Sequence, residues 1–177
     1  IGKKEINGFE YVIDKNGYLN SGNFWSVVHD KDIDTLVLNT EKMNLLLEKS
    51  GTKLLVVGFP QKYSEKWTDG YSGIPYDNLQ IEMDEFLRGI RTYRIPCVDC
   101  KKILEKSGLK YSEMFFKTDH HWRSQAAFVC YRKITDQIEQ MGFDVDPDGY
   151  YRDINNYTQK TYKGMMLGSE GRAVGIN

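Results

Sequence analysis

Cysteine, proline and charge of one sign are all scarce in this 177-residue chain, and each shortage closes a class of answers. Three cysteines are too few, and odd in number, for a disulfide framework. Lysine and arginine (24) nearly cancel aspartate and glutamate (25), giving a net charge of −1 and a pI near 6.4. Such a surface releases few counterions from a phosphate backbone, so nucleic acid is excluded as a partner. No apolar run approaches the ~20 residues a membrane span requires. There is no internal repeat and no linker-like stretch. No signal peptide stands at Ile1, which by itself says nothing about compartment.

What is present is a globular balance: 40% hydrophobic and 28% charged residues. A chain this long buries roughly 70% of the surface its unfolded form exposes, so a single domain over residues 1–177 needs no staples. Aromatic residues are the one excess, at 13% with 12 tyrosines. Amphipathic rings suit a sugar-binding surface and a core equally well.

Local patterns order the chain. Phe9–Ile13, Asn16-Gly17 and Tyr18-Leu19 predict a β-hairpin within an entry segment over 1–30, because Asn-Gly supplies positive φ angles. Leu36, Met43, Leu46 and Leu47 predict a helix over 36–49 that stops at Ser50-Gly51. Lys53–Phe59 is a short apolar run ended by Pro60, as in a strand buried on both faces. Leu79, Met83, Phe86, Leu87 and Ile90 form one apolar helical face. Arg94–Val98 predicts a second strand, Asp99–Ser107 a short helix, and Ser124–Met141 a long helix facing inward through Ala127, Tyr131, Ile134, Ile138 and Met141. Helices alternating with strands predict an α/β fold, a parallel sheet covered on both sides. Residues 143–177 read as an irregular tail with at most a short strand.

One string concentrates chemistry: Phe115-Phe116-Lys117-Thr118-Asp119-His120-His121-Trp122. In an extended segment Asp119 and His121 share a face and His120 points away. An aspartate on one imidazole nitrogen leaves the other free as general base, the Asp–His half of a hydrolase triad. On spacing alone the string reads more readily as a turn capped by Asp119 with packed histidines, because Asp-x-His is short and common.

Thr118-Asp119-His120-His121-Trp122 resembles the signature of the DHHW family, bacterial proteins similar to the SGNH-type O-acetyltransferases of the alginate-acetylation kind. Gly8–Val12 with Asn16–Leu19, Gly73-Ile74-Pro75-Tyr76 and Leu167-Gly168-Ser169-Glu170-Gly171-Arg172 resemble further landmarks of that family, in family order. The resemblance implies a three-layer, flavodoxin-like SGNH fold with a central, mostly parallel sheet, here expected to be incomplete. It implies an extracytoplasmic protein, an acylated sugar or polysaccharide as substrate, a membrane-bound acyl-donor partner, and a Ser-His-Asp mechanism without cofactor. Carried over by position, Asp119 is the orienting acid and His121 the base. Related acetyltransferases take their serine from a Gly-Asp-Ser-like turn later in the chain. That turn is absent up to Asn177, so the nucleophile is expected beyond it.

Other residues compete weakly. Ser72 alone has a glycine two positions before it, but no apolar strand leads in, and Ser169 has Leu167 where glycine is needed. Gly168–Gly171 reads as a turn, or as backbone N–H groups lining an oxyanion or sugar site with Arg172 beside an anionic group. Lys62 and Tyr63 follow the first strand, at the edge where open α/β sheets bind ligands, and with Trp122 they complete the substrate-side candidates. Cys97-Val98-Asp99-Cys100 occupies the place of a redox pair but lacks its usual filling, and Cys130 reads as buried and inert. No metal is expected. Asp144–Gly149 imitates half a calcium loop without its glutamate, and the side chains of adjacent His120 and His121 should diverge.

Overall fold

The computed structural model describes residues 2–6, 9–21, 32–62, 78–162, 164 and 167–175. Three short strands open it: β1 (Gly2–Ile6), β2 (Phe9–Ile13) and β3 (Leu19–Ser21), paired antiparallel in that order. The β2–β3 turn forms where Asn16-Gly17 predicts it. Gly17 takes φ 78° and donates to the Asp14 carbonyl, while the Asp14 carboxylate accepts from the backbone N–H groups of Asn16 and Tyr18. The first strand carries no period-2 signal of its own and escapes sequence reasoning.

The centre is a parallel pair, β4 (Val56–Gly58) and β5 (Cys97–Asp99), with Val57 opposite Val98. Side chains alternate across a strand, so the pair feeds two cores. On one face Leu54, Val56 and Cys97 pack with Val37, Leu87, Ile90 and Ile95. These come from α1 (Ile33–Lys49), α2 (Asn78–Thr92) and the turn after it. On the other face Leu55, Val57 and Val98 pack with Cys100, Leu104, Met114, Phe115, Ala126 and Cys130. These belong to α3 (Cys100–Glu105), α4 (Tyr111–Met114), the segment after it, and α5 (Ser124–Gln140). Helices thus cover a parallel sheet on both sides, the expected three-layer α/β arrangement. Each fully buried Leu or Ile contributes about 1.5–3 kcal/mol of transfer free energy.

Two helical faces differ from the sequence reading. Helix α1 turns Val37 inward and leaves Leu36, Met43 and Leu46 exposed. Helix α5 buries Ala126, Cys130 and Thr135, while Tyr131 stays exposed. Both helices carry apolar residues around more than one stripe, and only the docking against the sheet selects which stripe is inside. Asp99 caps α3 by accepting from Lys102 N–H, so the strand-to-helix junction is fixed by one carboxylate.

The cysteines separate at that junction. Cys97 packs into one core and Cys100 into the other; all three thiols are free, and Cys130 donates to the Cys100 carbonyl. A redox pair needs its two sulfurs within bonding reach, and here Cys97 on β5 and the first residue of α3 pack into different cores.

After α5 come two 3-10 turns (Tyr150–Arg152 and Ile154–Asn156) and α6 (Ser169–Ala173); no strand occurs there among the described residues. The calcium-like loop is closed by Arg152. Asp146 accepts from the backbone N–H groups of Tyr151 and Arg152 and from Arg152 Nε, so its carboxylate is tied to the chain that follows.

Candidate active site

The string that leads into α5 folds as a tight loop. Phe115 and Trp122 form an antiparallel bridge, and Arg123 N–H donates to the Met114 carbonyl at 2.7 Å, closing the loop base. Lys117 and Thr118 turn, which places Asp119 in the interior, 3% exposed, and both histidines at the surface.

Asp119 organises what surrounds it. Its Oδ1 accepts from His121 N–H at 2.8 Å and from His121 Nδ1 at 2.5 Å. Its Oδ2 accepts from Ser169 N–H at 2.7 Å. Burial pushes this carboxyl up, but the two backbone N–H groups and the His121 ring more than offset burial, and its pKa is lowered to about 2. It is therefore an anion at neutral pH with three donors. The His121 side chain is 62% exposed, and among the described residues no hydrogen bond occupies its Nε2. The ring is held at one nitrogen and presents the other to solvent.

His120 does not point away. Its ring stacks on that of His121, centroids 4.0 Å apart and tilted by 35°, and its Nδ1 lies 3.1 Å from Ser169 Oγ. The period-2 expectation fails because the segment is a turn rather than a strand, so neighbouring side chains converge. Ligand atoms of Asp119, His120 and His121 fall within 4.8 Å of one another, a set that could reach one ion. Oδ1 accepts from two N–H donors and Oδ2 from one, which anchors the His121 ring to the carboxylate.

The Gly168–Gly171 segment comes against this loop from the far end of the chain. Gly171 N–H donates to the Thr118 carbonyl at 2.9 Å, beside the Ser169 bond to Asp119. Gly168 is at φ 76°, and a Cβ there would lie 2.2 Å from the Thr118 carbonyl oxygen and 2.7 Å from Asp119 Cβ. No side chain fits. Two of the backbone N–H groups that sequence reasoning offers to an oxyanion, those of Ser169 and Gly171, are thus directed to Asp119 and Thr118. Ser169 Oγ meets His120, not His121.

The remaining candidates scatter. Lys62 is a correction: it is 1% exposed, and its amine donates to Glu170 Oε2 at 2.7 Å and to the Leu19 carbonyl at 2.8 Å. It lies beneath the loop rather than on a substrate face, because the chain after β4 dives under β3 and α6. Trp122 is half-buried, edge-on to Phe59 at 5.5 Å and packed on the α3–α5 core. Arg172 is exposed in α6. Tyr63, Ser72 and the Gly73–Tyr76 landmark lie outside the described residues. Sequence reasoning misses Glu170 altogether, since a lone glutamate carries no sign of its buried partner.

A family described as SGNH hydrolase-like domain, acetyltransferase AlgX, matches residues 29–171. The chain belongs to this SGNH hydrolase-like AlgX family. The match runs through the Asp119–His121 loop and ends at Gly171, the residue bonded to Thr118. Two solved structures share the fold. The structure of Bacillus cereus PatB1 has a TM-score of 0.58 and 18% identity, covering 75% of this chain and 43% of that one. PatB1 with a sulfonyl adduct has a TM-score of 0.58 and 19% identity, covering 74% of this chain and 43% of that one. The chain therefore spans less than half the length of the structures it matches. No curated protein matches the sequence. Among the described residues no helix is long and apolar enough to cross a membrane.

Proposed function

We propose that this chain supplies the acid–base half of an acyl-transfer site acting on acetylated polysaccharide outside the cytoplasm, with Asp119 as the orienting acid and His121 as the base. The finer kinship is with the DHHW group, on the Asp119–Trp122 string. A membrane-bound acyl donor is the partner in this reading. The observation that carries it is the 2.5 Å bond from His121 Nδ1 to a buried, anionic Asp119 while the rest of the ring is exposed. That arrangement fixes the tautomer in which Nδ1 carries the proton and Nε2 has a free lone pair.

The chemistry follows from that lone pair. A serine hydroxyl brought to Nε2 transfers its proton to His121 as its oxygen bonds to an ester carbonyl carbon. Asp119 stabilises the imidazolium so formed. The proton then passes to the departing alcohol oxygen, leaving an acyl-serine that a sugar hydroxyl or water resolves. Ser169 is not that serine in this reading, because its hydroxyl lies on His120.

Labelling with an aryl sulfonyl fluoride, in the chain extended past Asn177 to include the expected serine, tests the assignment. A serine that reacts in the wild-type protein and fails to react in His121→Ala supports His121 as base. Labelling that persists in His121→Ala and maps to Ser169 would sink it and transfer the role to His120. A protein with no activity toward p-nitrophenyl acetate and no labelling would be a sugar-binding module on the same fold.

A further inference from the structure

Beneath the loop lies a charged pair that the acyl-transfer chemistry does not touch. Lys62 and Glu170 are 1% and 4% exposed, and their Nζ and Oε2 are 2.7 Å apart. Burying two ions costs several kcal/mol that their attraction repays only in good geometry, and apolar residues of similar size often stabilise a fold as well. Stability alone is therefore a poor reason for this pair, and its contacts suggest another.

Among the described residues the Lys62 amine donates to oxygens of three separate segments. It donates to the Leu19 carbonyl at 2.8 Å, to the Lys117 carbonyl at 3.5 Å and to Glu170. Lys117 stands two residues before Asp119, and Glu170 one residue after Ser169. One cation thus spans the two chain segments that carry the acceptor and the donor of the Ser169 N–H to Asp119 Oδ2 bond. Leu19 N–H also donates to the Lys117 carbonyl at 2.8 Å, and Tyr111 Oη donates to the Lys62 carbonyl at 3.1 Å, so both ends of the lysine are fixed.

We propose that Lys62 and Glu170 are positioning residues that hold Ser169 N–H on Asp119, and through Asp119 set the orientation of the His121 ring. The link runs Lys62 to Glu170, along the backbone to Ser169 N–H, across to Asp119 Oδ2, and from Oδ1 to His121 Nδ1. The hairpin enters through Leu19, which explains why a three-stranded sheet without catalytic residues packs against α6. The role in turnover rests on the acyl-transfer reading; the coupling to Asp119 does not.

The test separates positioning from stability. Lys62→Met and Glu170→Leu singly each remove one charge of a buried ion pair and lower Tm, whereas the double variant removes both charges and restores Tm. The Asp119 carboxyl is followed by its ¹³Cγ shift on acid titration. In the double variant, loss of the Ser169 donor raises the Asp119 pKa from about 2 by roughly one unit. Ester turnover falls about 10²-fold in kcat with KM within about twofold, the size expected of a small misplacement of a catalytic group. A double variant with restored Tm, the wild-type Asp119 titration and wild-type kcat would overturn the proposal. If the double variant does not fold, Glu170→Ala cuts the same link, and an unmoved Asp119 titration in it overturns the proposal equally. Should Asp119 shift while His121→Ala retains activity, the positioning stands and the acyl-transfer reading falls.

Discussion

Two buried aspartates in this chain gather backbone N–H groups in the same way and arrive at opposite ends. Asp119 accepts from the N–H groups of His121 and Ser169, and Asp146 from those of Tyr151 and Arg152. Both carboxyls are lowered below the usual range by those bonds together with the His121 ring and the Arg152 guanidinium, which outweigh the opposing effect of burial. The difference is the side chain each one holds. Arg152 reaches Asp146 through Nε and Asp136 and Glu139 through Nη1, so its guanidinium is consumed by three carboxylates. Guanidinium has donors only and stays charged, which makes the Asp146 cluster a strut. Imidazole has two nitrogens, and Asp119 takes one. The same acid on a different partner yields a closed ion cluster in one place and an exposed ring nitrogen in the other.

Substitutions can break that contrast, the largest effect first. His121→Ala should lower acyl transfer by about 10³-fold or more, within the range for loss of a general base, with Tm nearly unchanged because the ring is exposed. Arg152→Ala should do the reverse: activity within about twofold, but a loss of about 2–3 kcal/mol in denaturant unfolding as Asp146 loses its counter-charge. Equal activity losses in the two variants would erase the distinction between strut and site.

Gly168→Ala joins both behaviours. Its Cβ has no room beside Thr118 and Asp119, and the positive φ adds strain, so stability should fall by about 1–3 kcal/mol and kcat with it. Thermal melts and ester kinetics on one preparation read both.

Acid titration sharpens the contrast further. A carboxyl held at about 2 in the folded state stabilises the fold above its unfolded value near 3.8. That contribution, about 2 kcal/mol, is lost as pH falls from about 4 to 2. Asp119→Asn should flatten this part of the stability curve, whereas His121→Ala should flatten it only in part, because Ser169 N–H and His121 N–H still bind the carboxylate. The smallest effect is expected for His120→Phe, which keeps a ring on His121 but removes the bond to Ser169 Oγ; kcat should change less than about tenfold.

Much of this was legible in the residues. The Asn16-Gly17 turn, the parallel strands at 56–58 and 97–99, and the helices over 78–92 and 124–140 all come from local spacing and turn chemistry, which act within a few residues. Sequence reasoning fails where the same local pattern permits two outcomes. Leu36 or Val37 could face inward from α1, and docking against β4 and β5 selects Val37. Period 2 sends His120 away from His121, and the turn at Lys117–Thr118 brings the rings together.

By itself the sequence determined the fold class and singled out the Asp119–His121 string, because hydrophobic period and short motifs are local quantities. Only the tertiary structure decided that Lys62 is buried rather than facing substrate, that Glu170 pairs with it across 108 positions, and that Ser169 N–H belongs to Asp119. Those contacts join segments with no shared periodicity. A buried charge finds its partner through the packing of the whole chain, and no residue type at either end announces it.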